Sequence, residues 1–223
     1  MPVPRATIEH NLIEVRRRIA DAATRAGRSP EAVRLVAVTK TVGIEEAQSL
    51  IALGQTDLGE NRVDAGKSKI ETIGTEGVRW HMIGNIQRRK ARDVVTLFDY
   101  IHAVDRVPLA EALERRCEEQ HTTKPILLEV NVSGETAKHG FEPQQVAAAI
   151  KQIMALPHLE VQGLMTMAPW VEDPEETRPF FQRLRQLAEE FGVRELSMGM
   201  TNDFEVAVEE GATQVRIGTA LFT

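Results

Sequence analysis

Three short stretches of this chain carry side chains that could do chemistry at one place. The first ends in an amine: Val33-Arg34-Leu35-Val36-Ala37-Val38-Thr39-Lys40 is an almost continuous apolar, β-branched run closed by Lys40. A parallel strand covered by helices on both faces has this composition, because neither face meets water. Ligands of α/β folds bind at the carboxyl ends of such strands, and a lysine there can serve as a Schiff-base nucleophile. The same residue in the same place is also what an ordinary solvated lysine at a strand-to-helix turn looks like.

The other two stretches suit an anion. In Ser197-Met198-Gly199-Met200-Thr201 a glycine allows close backbone approach, and Thr201 stands just before an expected helix. Its hydroxyl and the following amides can face a phosphate; a plain helix N-cap would read the same way. Arg216-Ile217-Gly218-Thr219 ends another apolar run with a cation, a small residue and a hydroxyl. As the ends of strands seven and eight of a barrel, both fall where barrels commonly bind phosphate, and strand one closes beside strand eight. A phosphate site next to Lys40 suits a phosphorylated aldehyde, and pyridoxal 5'-phosphate fits that description.

The elements that must position these residues alternate along the chain. Ile8, Leu12, Val15, Ile19 and Ala22 recur at helical spacing, so residues 6 to 26 read as an amphipathic helix ended by Gly27. After the Lys40 strand come a helix from Gly43 to Leu53, a very short strand from Thr56 to Gly59 with Glu60-Asn61 behind it, and a strand over Arg79 to Gly84. A helix over Arg88 to Phe98 leads to a strand over Tyr100 to Val104, and Asp105 is expected to cap a helix running to Gln120. Further strands are expected at Ile126 to Val130, Glu160 to Thr166, Glu195 to Ser197 and Gln214 to Ile217. Before the seventh strand, Asp173 is read as N-cap with Glu176 completing a capping box, and Phe180, Leu184, Leu187 and Phe191 form one face stopped by Gly192. Pro179 within the early turns predicts a kink or a late restart. Eight short strands separated by helices, with no linker or compositional break, predict an α/β fold: a single (β/α)8 TIM-type barrel over residues 1–223, with an open doubly wound sheet as the alternative.

These stretches, with Gly59-Glu60-Asn61, Trp80-His81-Met82-Ile83-Gly84, Asn131-Val132-Ser133-Gly134-Glu135 and Gly163-Leu164-Met165, resemble the pyridoxal phosphate homeostasis proteins, the YggS or PROSC family, nearly end to end. The resemblance implies a barrel of the alanine-racemase type holding pyridoxal 5'-phosphate (PLP) as a Schiff base on Lys40. It implies that Thr201, Gly218 and Thr219 hold the phosphate, that Arg216 faces the pyridine nitrogen, and that Asn61 and His81 are second-rank pocket residues; Ser197, in the anion-suited stretch, is expected among the cofactor-binding residues. An arginine beside that nitrogen keeps it unprotonated, which weakens the ring as an electron sink. The sequence departs from the family at Arg62, where an aromatic is usual, at Arg89, where Asn is usual, and at Thr201, where Ser is common.

Three functions are compatible with these residues: a carrier in intracellular vitamin B6 homeostasis without substantial turnover, a weak PLP-dependent amino-acid racemase, and a lysine-dependent aldolase-type barrel. The two-domain racemases use a tyrosine base, and Tyr100, the single tyrosine, lies at the start of a strand, away from the mouth. The chain is expected to be too short to contain their second domain. Lys138, in a loop at the mouth, reads as a solvated lysine or as a group able to pass the aldehyde to a recipient apo-enzyme. The carrier is therefore expected, as a cytoplasmic monomer. No apolar run has the length of a membrane span, and the start of the chain lacks the apolar core of a secretory signal. Cys117 is the single cysteine and reads as a small core residue, so no intrachain disulfide is expected. A net charge of −6 argues against a nonspecific nucleic-acid role, and the basic run Arg88-Arg89-Lys90-Ala91-Arg92 lacks interleaved aromatics. His102, His121, His139 and His158 show no metal-ligand spacing.

Overall fold

Strand pairing follows chain order all the way round. In the computed structural model, which describes residues 2–135 and 139–223, β1 (Arg34–Val38) pairs in parallel with β2 (Asp57–Glu60) and with β8 (Gln214–Ile217). β3 (Arg79–Met82), β4 (Tyr100–Val104), β5 (Lys124–Glu129), β6 (Leu159–Met165) and β7 (Glu195–Ser197) complete a closed parallel barrel. The expected (β/α)8 architecture is the one adopted, and the open sheet is not. Around the strands run α1 (Arg5–Arg25), α2 (Ile44–Ala52), α3 (Val63–Ile73), α4 (Ala91–Leu97), α5 (Val107–Glu119), α6 (Val146–Ile153), α7 (Arg178–Phe191), α8 (Phe204–Glu209) and α9 (Thr219–Phe222).

Alternation along the strands sorts side chains between two environments. Leu35, Ala37, Leu58, Trp80, Ile101, Leu128, Leu164, Val215 and Ile217 join the helices in one large core. Tyr100, Ala103, Leu127 and Met165 form a separate small cluster inside the barrel. Val36 also faces inward, where its Cγ1 would lie 3.0 Å from a Cβ added to Gly59. By this parity Lys40, two residues beyond Val38, belongs to the inward-facing set. α1 buries Ile8, Leu12, Val15, Ile19 and Ala22 as their spacing predicts, and packs on α2, α8 and α9 over the seam between β8 and β1. Cys117 is in the core, where burial pushes its thiol up to about 11.

One helix start differs from the sequence reading, and at a second the late restart is the alternative adopted. Asp105 does not cap α5; Arg106 is the N-cap, and the Asp105 carboxylate instead accepts from Asn85 Nδ2 at 3.0 Å and from Arg106. Asp173 does cap, accepting from the Glu175 amide at 3.0 Å, but a single 3-10 turn (Pro174–Thr177) intervenes before α7 restarts with Pro179 in its first turn, where proline costs nothing. The restart shifts the helical phase, so Phe181, Leu184, Leu187 and Ala188 are buried, and Phe180 and Phe191 are only partly so. α3, which no sequence boundary marked, carries a residue that supports the site. No helix among the described residues is long and apolar enough to cross a membrane.

Candidate functional site

The carboxyl ends of the strands form one mouth, and Lys40 stands at its rim. Its side chain is exposed and makes no hydrogen bond or ion pair with any described residue. Asn61 is half-buried on the neighbouring strand end, with Gly84 so close that an added Cβ would lie 2.2 Å from the Asn61 carbonyl oxygen. Glu60, between them in sequence, turns the other way. Its Oε1 accepts from Thr39 Oγ1 and from Lys69 Nζ, each at 2.6 Å, and Lys69 Nζ also donates to the Thr39 carbonyl at 2.6 Å. This buried pair ties α3 to the peptide that carries Lys40. It is a strut, and the pattern of outward-facing residues accounts for it.

The two anion-friendly segments come together on the same side. Gly199 adopts φ +91°, and an added Cβ would lie 2.6 Å from the Ala207 methyl, so the loop turns tightly onto α8. The Asp203 carboxylate closes this turn by accepting from the Met200 amide at 2.6 Å. Thr201 Oγ1 lies 3.5 Å from the Ala220 amide, which joins the loop after β7 to the turn after β8. Gly218 in turn passes against β1, where an added Cβ would be 3.1 Å from the Val38 carbonyl oxygen. Barrel closure thus brings Thr201, Gly218 and Thr219 next to the strand end that leads to Lys40.

Arg216 is 4% exposed, with Nη1 donating to Ser197 Oγ at 2.5 Å and Nη2 to the Thr166 carbonyl at 2.8 Å. Burial pushes its guanidinium down to about 10, against the pull of Asp203 and Glu129, so it stays charged at neutral pH. Glu129, 3% exposed at the end of β5, is pushed up to about 7 by burial and by the Asp105 charge, with Arg216 opposing. The mouth therefore holds an amine, a fixed cation and a carboxyl group that titrates near neutrality. A left-handed glycine turn, threonine hydroxyls and a buried cation with unspent N–H groups form a donor set that fits a phosphorylated pyridine aldehyde.

Other residues singled out in the sequence lie deeper in the barrel or on its surface. His81 is fully buried inside the barrel, with Nε2 2.9 Å from Asp57 Oδ1 and Nδ1 2.9 Å from His102 Nε2. Both ring nitrogens are engaged inside the barrel. Ser197 is likewise fully buried, and its hydroxyl holds Arg216 and His102. Tyr100 is buried in the barrel, with Oη donating to Gln162 at 2.8 Å, and burial pushes its phenol above the usual range. Lys138 lies outside the described residues. Arg62 and Arg89 are exposed, Arg62 at the start of α3 and Arg89 donating to Gln87 at 2.9 Å. Sequence reasoning missed Glu129, Asp203 and His102. For Glu129 the signal was present, since it stands two residues beyond inward-facing Leu127.

The model of the alanine racemase N-terminal domain family matches residues 6–223. A curated pyridoxal phosphate homeostasis protein of Aquifex aeolicus is 40% identical over 217 residues, covering 95% of each chain. A crystal structure of an unknown protein from Bifidobacterium adolescentis superposes with a TM-score of 0.93 at 35% identity, covering 100% of this chain and 98% of that one. PipY of Synechococcus elongatus, solved with PLP bound, gives a TM-score of 0.82 at 35% identity over 92% of this chain and 100% of that one. The chain therefore belongs to the pyridoxal phosphate homeostasis protein family, built on the barrel of the alanine racemase N-terminal domain.

Proposed function

We propose that the protein binds pyridoxal 5'-phosphate as a Schiff base on Lys40 and takes part in intracellular vitamin B6 homeostasis as a carrier, without substantial turnover. The observation that carries this reading is the juxtaposition of an inward-set lysine, without a partner among the described residues, with the joined Thr201 and Gly218-Thr219 turns and the buried Arg216. Its family relative PipY, solved with PLP bound, supports it. In this reading Thr201, Thr219 and the nearby amides hold the phosphate, Gly218 leaves it room, and Arg216 directs an N–H at the pyridine nitrogen. Asn61 borders the ring at the rim. The cofactor supplies an aldehyde for the amine and an electron-withdrawing ring. Arg216 limits that withdrawal by keeping the nitrogen unprotonated.

Glu129 is the observation that favours a second reading, a weak amino-acid racemase, because a carboxyl group near neutrality can move a proton. Tyr100 does not offer the base of a two-base racemase, being bonded to Gln162 inside the barrel. Visible absorbance of the purified protein and of Lys40→Ala, before and after borohydride reduction and with mass spectrometry, tests the Schiff base. A coloured wild type reduced to an adduct at Lys40, with a colourless variant, is expected. A wild type that develops no band with added PLP overturns the proposal. Deuterium exchange at the α-carbon of free amino acids separates the two functions: the carrier shows none above background. As a carrier it works as a cytoplasmic monomer that delivers PLP to apo-enzymes. Light scattering over a range of concentrations and recovery of activity by an added apo-enzyme check these two statements.

A further inference from the structure

A continuous file of polar groups runs through the barrel interior and ends on Arg216. Its far end is Asp57 at the amino-terminal end of β2, with a side chain 20% exposed and with Arg34 Nε at 3.6 Å and Arg79 Nη1 at 3.8 Å. From Asp57 Oδ1 the file passes to His81 Nε2 at 2.9 Å, from His81 Nδ1 to His102 Nε2 at 2.9 Å, and from His102 Nδ1 to Ser197 Oγ at 2.9 Å. Arg216 Nη1 closes it at 2.5 Å from Ser197 Oγ. Tyr100 stacks on His81 with ring centroids 5.5 Å apart and meets His102 edge-on at 5.0 Å, so apolar surface encloses the imidazoles.

The two ends fix the direction of every bond between them. A carboxylate only accepts and a guanidinium only donates. Burial pushes Asp57 upward, but the His81 hydrogen bond with the Arg34 and Arg79 charges outweighs it and holds the carboxyl below its usual range. Burial holds both imidazoles neutral, His102 most strongly. His81 must then carry its proton on Nε2, leaving Nδ1 to accept; His102 must carry its own on Nε2 for the same reason. The Ser197 hydroxyl therefore donates to His102 Nδ1 and keeps a lone pair for Arg216. All donors point from Arg216 toward Asp57.

We propose that Asp57, His81 and His102 are positioning residues for Arg216: their one-directional file fixes the Ser197 hydroxyl as an acceptor and so aims the remaining guanidinium N–H groups at the pyridine nitrogen. This rests on the cofactor reading above. A carboxylate at the amino-terminal end of the barrel thereby sets the geometry of a ligand at the opposite end. With either imidazole in the other tautomer, two N–H groups would face Ser197 Oγ and its own proton would lose its acceptor.

The tautomers are tested first, on the cofactor-free protein, by long-range proton–nitrogen NMR of ring-labelled histidines, with His102→Phe assigning the signals. His81 and His102 are both expected as neutral Nε2–H forms. An Nδ1–H form at either, or titration at the ordinary imidazole value of about 6.5, overturns the proposal. The coupling is tested with PLP on wild type, Asp57→Asn and His102→Phe, reading affinity by titration and the position of the visible band. Both variants are expected to lose affinity roughly tenfold, about 1.4 kcal/mol, and to shift the band, while borohydride still traps the adduct at Lys40. Wild-type affinity and an unshifted band in both variants would overturn the positioning role alone. A wild type that takes up no PLP removes the cofactor reading, and the proposal falls with it, whatever the tautomers.

Discussion

Glu129 and Arg216 carry the two charges that burial perturbs most directly inside the mouth. Glu129 is pushed from its ordinary 4.5 to about 7, so in the folded protein it binds a proton that the unfolded chain has released over that interval. Its contribution to stability is therefore greatest below pH 4.5, falls as pH rises through the window from 4.5 to about 7, and levels off above it. The loss is on the order of 3 kcal/mol for a shift of this size. Glu129→Gln, which keeps the shape and removes the charge, is expected to raise the melting temperature of the cofactor-free protein at pH 8 relative to wild type and to flatten the pH dependence in that window. Equal melting temperatures at pH 8 would show that the carboxyl is not held above its ordinary range.

Between elements, the site is held by contacts that do not touch a ligand. The Glu60–Lys69 pair has side chains 0% and 9% exposed and braces the peptide before Lys40 against α3. Removing one partner strands a buried charge, so Lys69→Ala is expected to cost about 3–5 kcal/mol in chemical denaturation. The double change Lys69→Met with Glu60→Gln should recover most of that, because it removes both charges and keeps the volume. The β6–β7 contact leaves no space at Gly163, where an added Cβ would lie 1.8 Å from the Glu195 carbonyl oxygen. Gly163→Ala must force the strands apart and is expected to cost about 3 kcal/mol, near the upper end for overpacking. α7 and α8 are joined by Arg178, which pairs with Glu209 at 2.7 Å and Glu210 at 2.8 Å, and this fixes the helix behind the Gly199 turn.

At the scale of the whole molecule, a ligand gripped by loops from several strands should stabilise the entire barrel, since unfolding any of them releases it. PLP at about 100 times its dissociation constant adds roughly 2.7 kcal/mol. For a chain of this length that corresponds to a rise in melting temperature of about 5–10 °C. Calorimetry is expected to show this for wild type and to show most of it lost in Lys40→Ala. α1 contributes to the same unit from outside: Asn11 Nδ2 donates to the Thr223 carbonyl at 2.9 Å, and Arg18 pairs with Glu205 at 2.7 Å. The helix that begins the described chain thus fastens the elements that follow the turns after β7 and β8.

The sequence by itself determined the alternation of strands and helices, the barrel, the place of Lys40 and the two anion-friendly turns. Each is a local property: β-branched runs, helical periodicity, and glycine or threonine beside a strand end. Tyr100 could be set aside from the mouth on strand position alone. It missed the phase of α7, because whether the chain pauses at Pro174–Thr177 before restarting depends on packing. It did not give the contacts of His81 with His102 or of Ser197 with Arg216, since a strand pattern gives parity and depth along one strand but not the partner across the barrel. His102 and Ser197 are 95 positions apart, and Ser197 and Arg216 are 19 apart. Only closure of eight strands brings those side chains into one file, and only the enclosed, low-dielectric interior makes their protonation and direction definite.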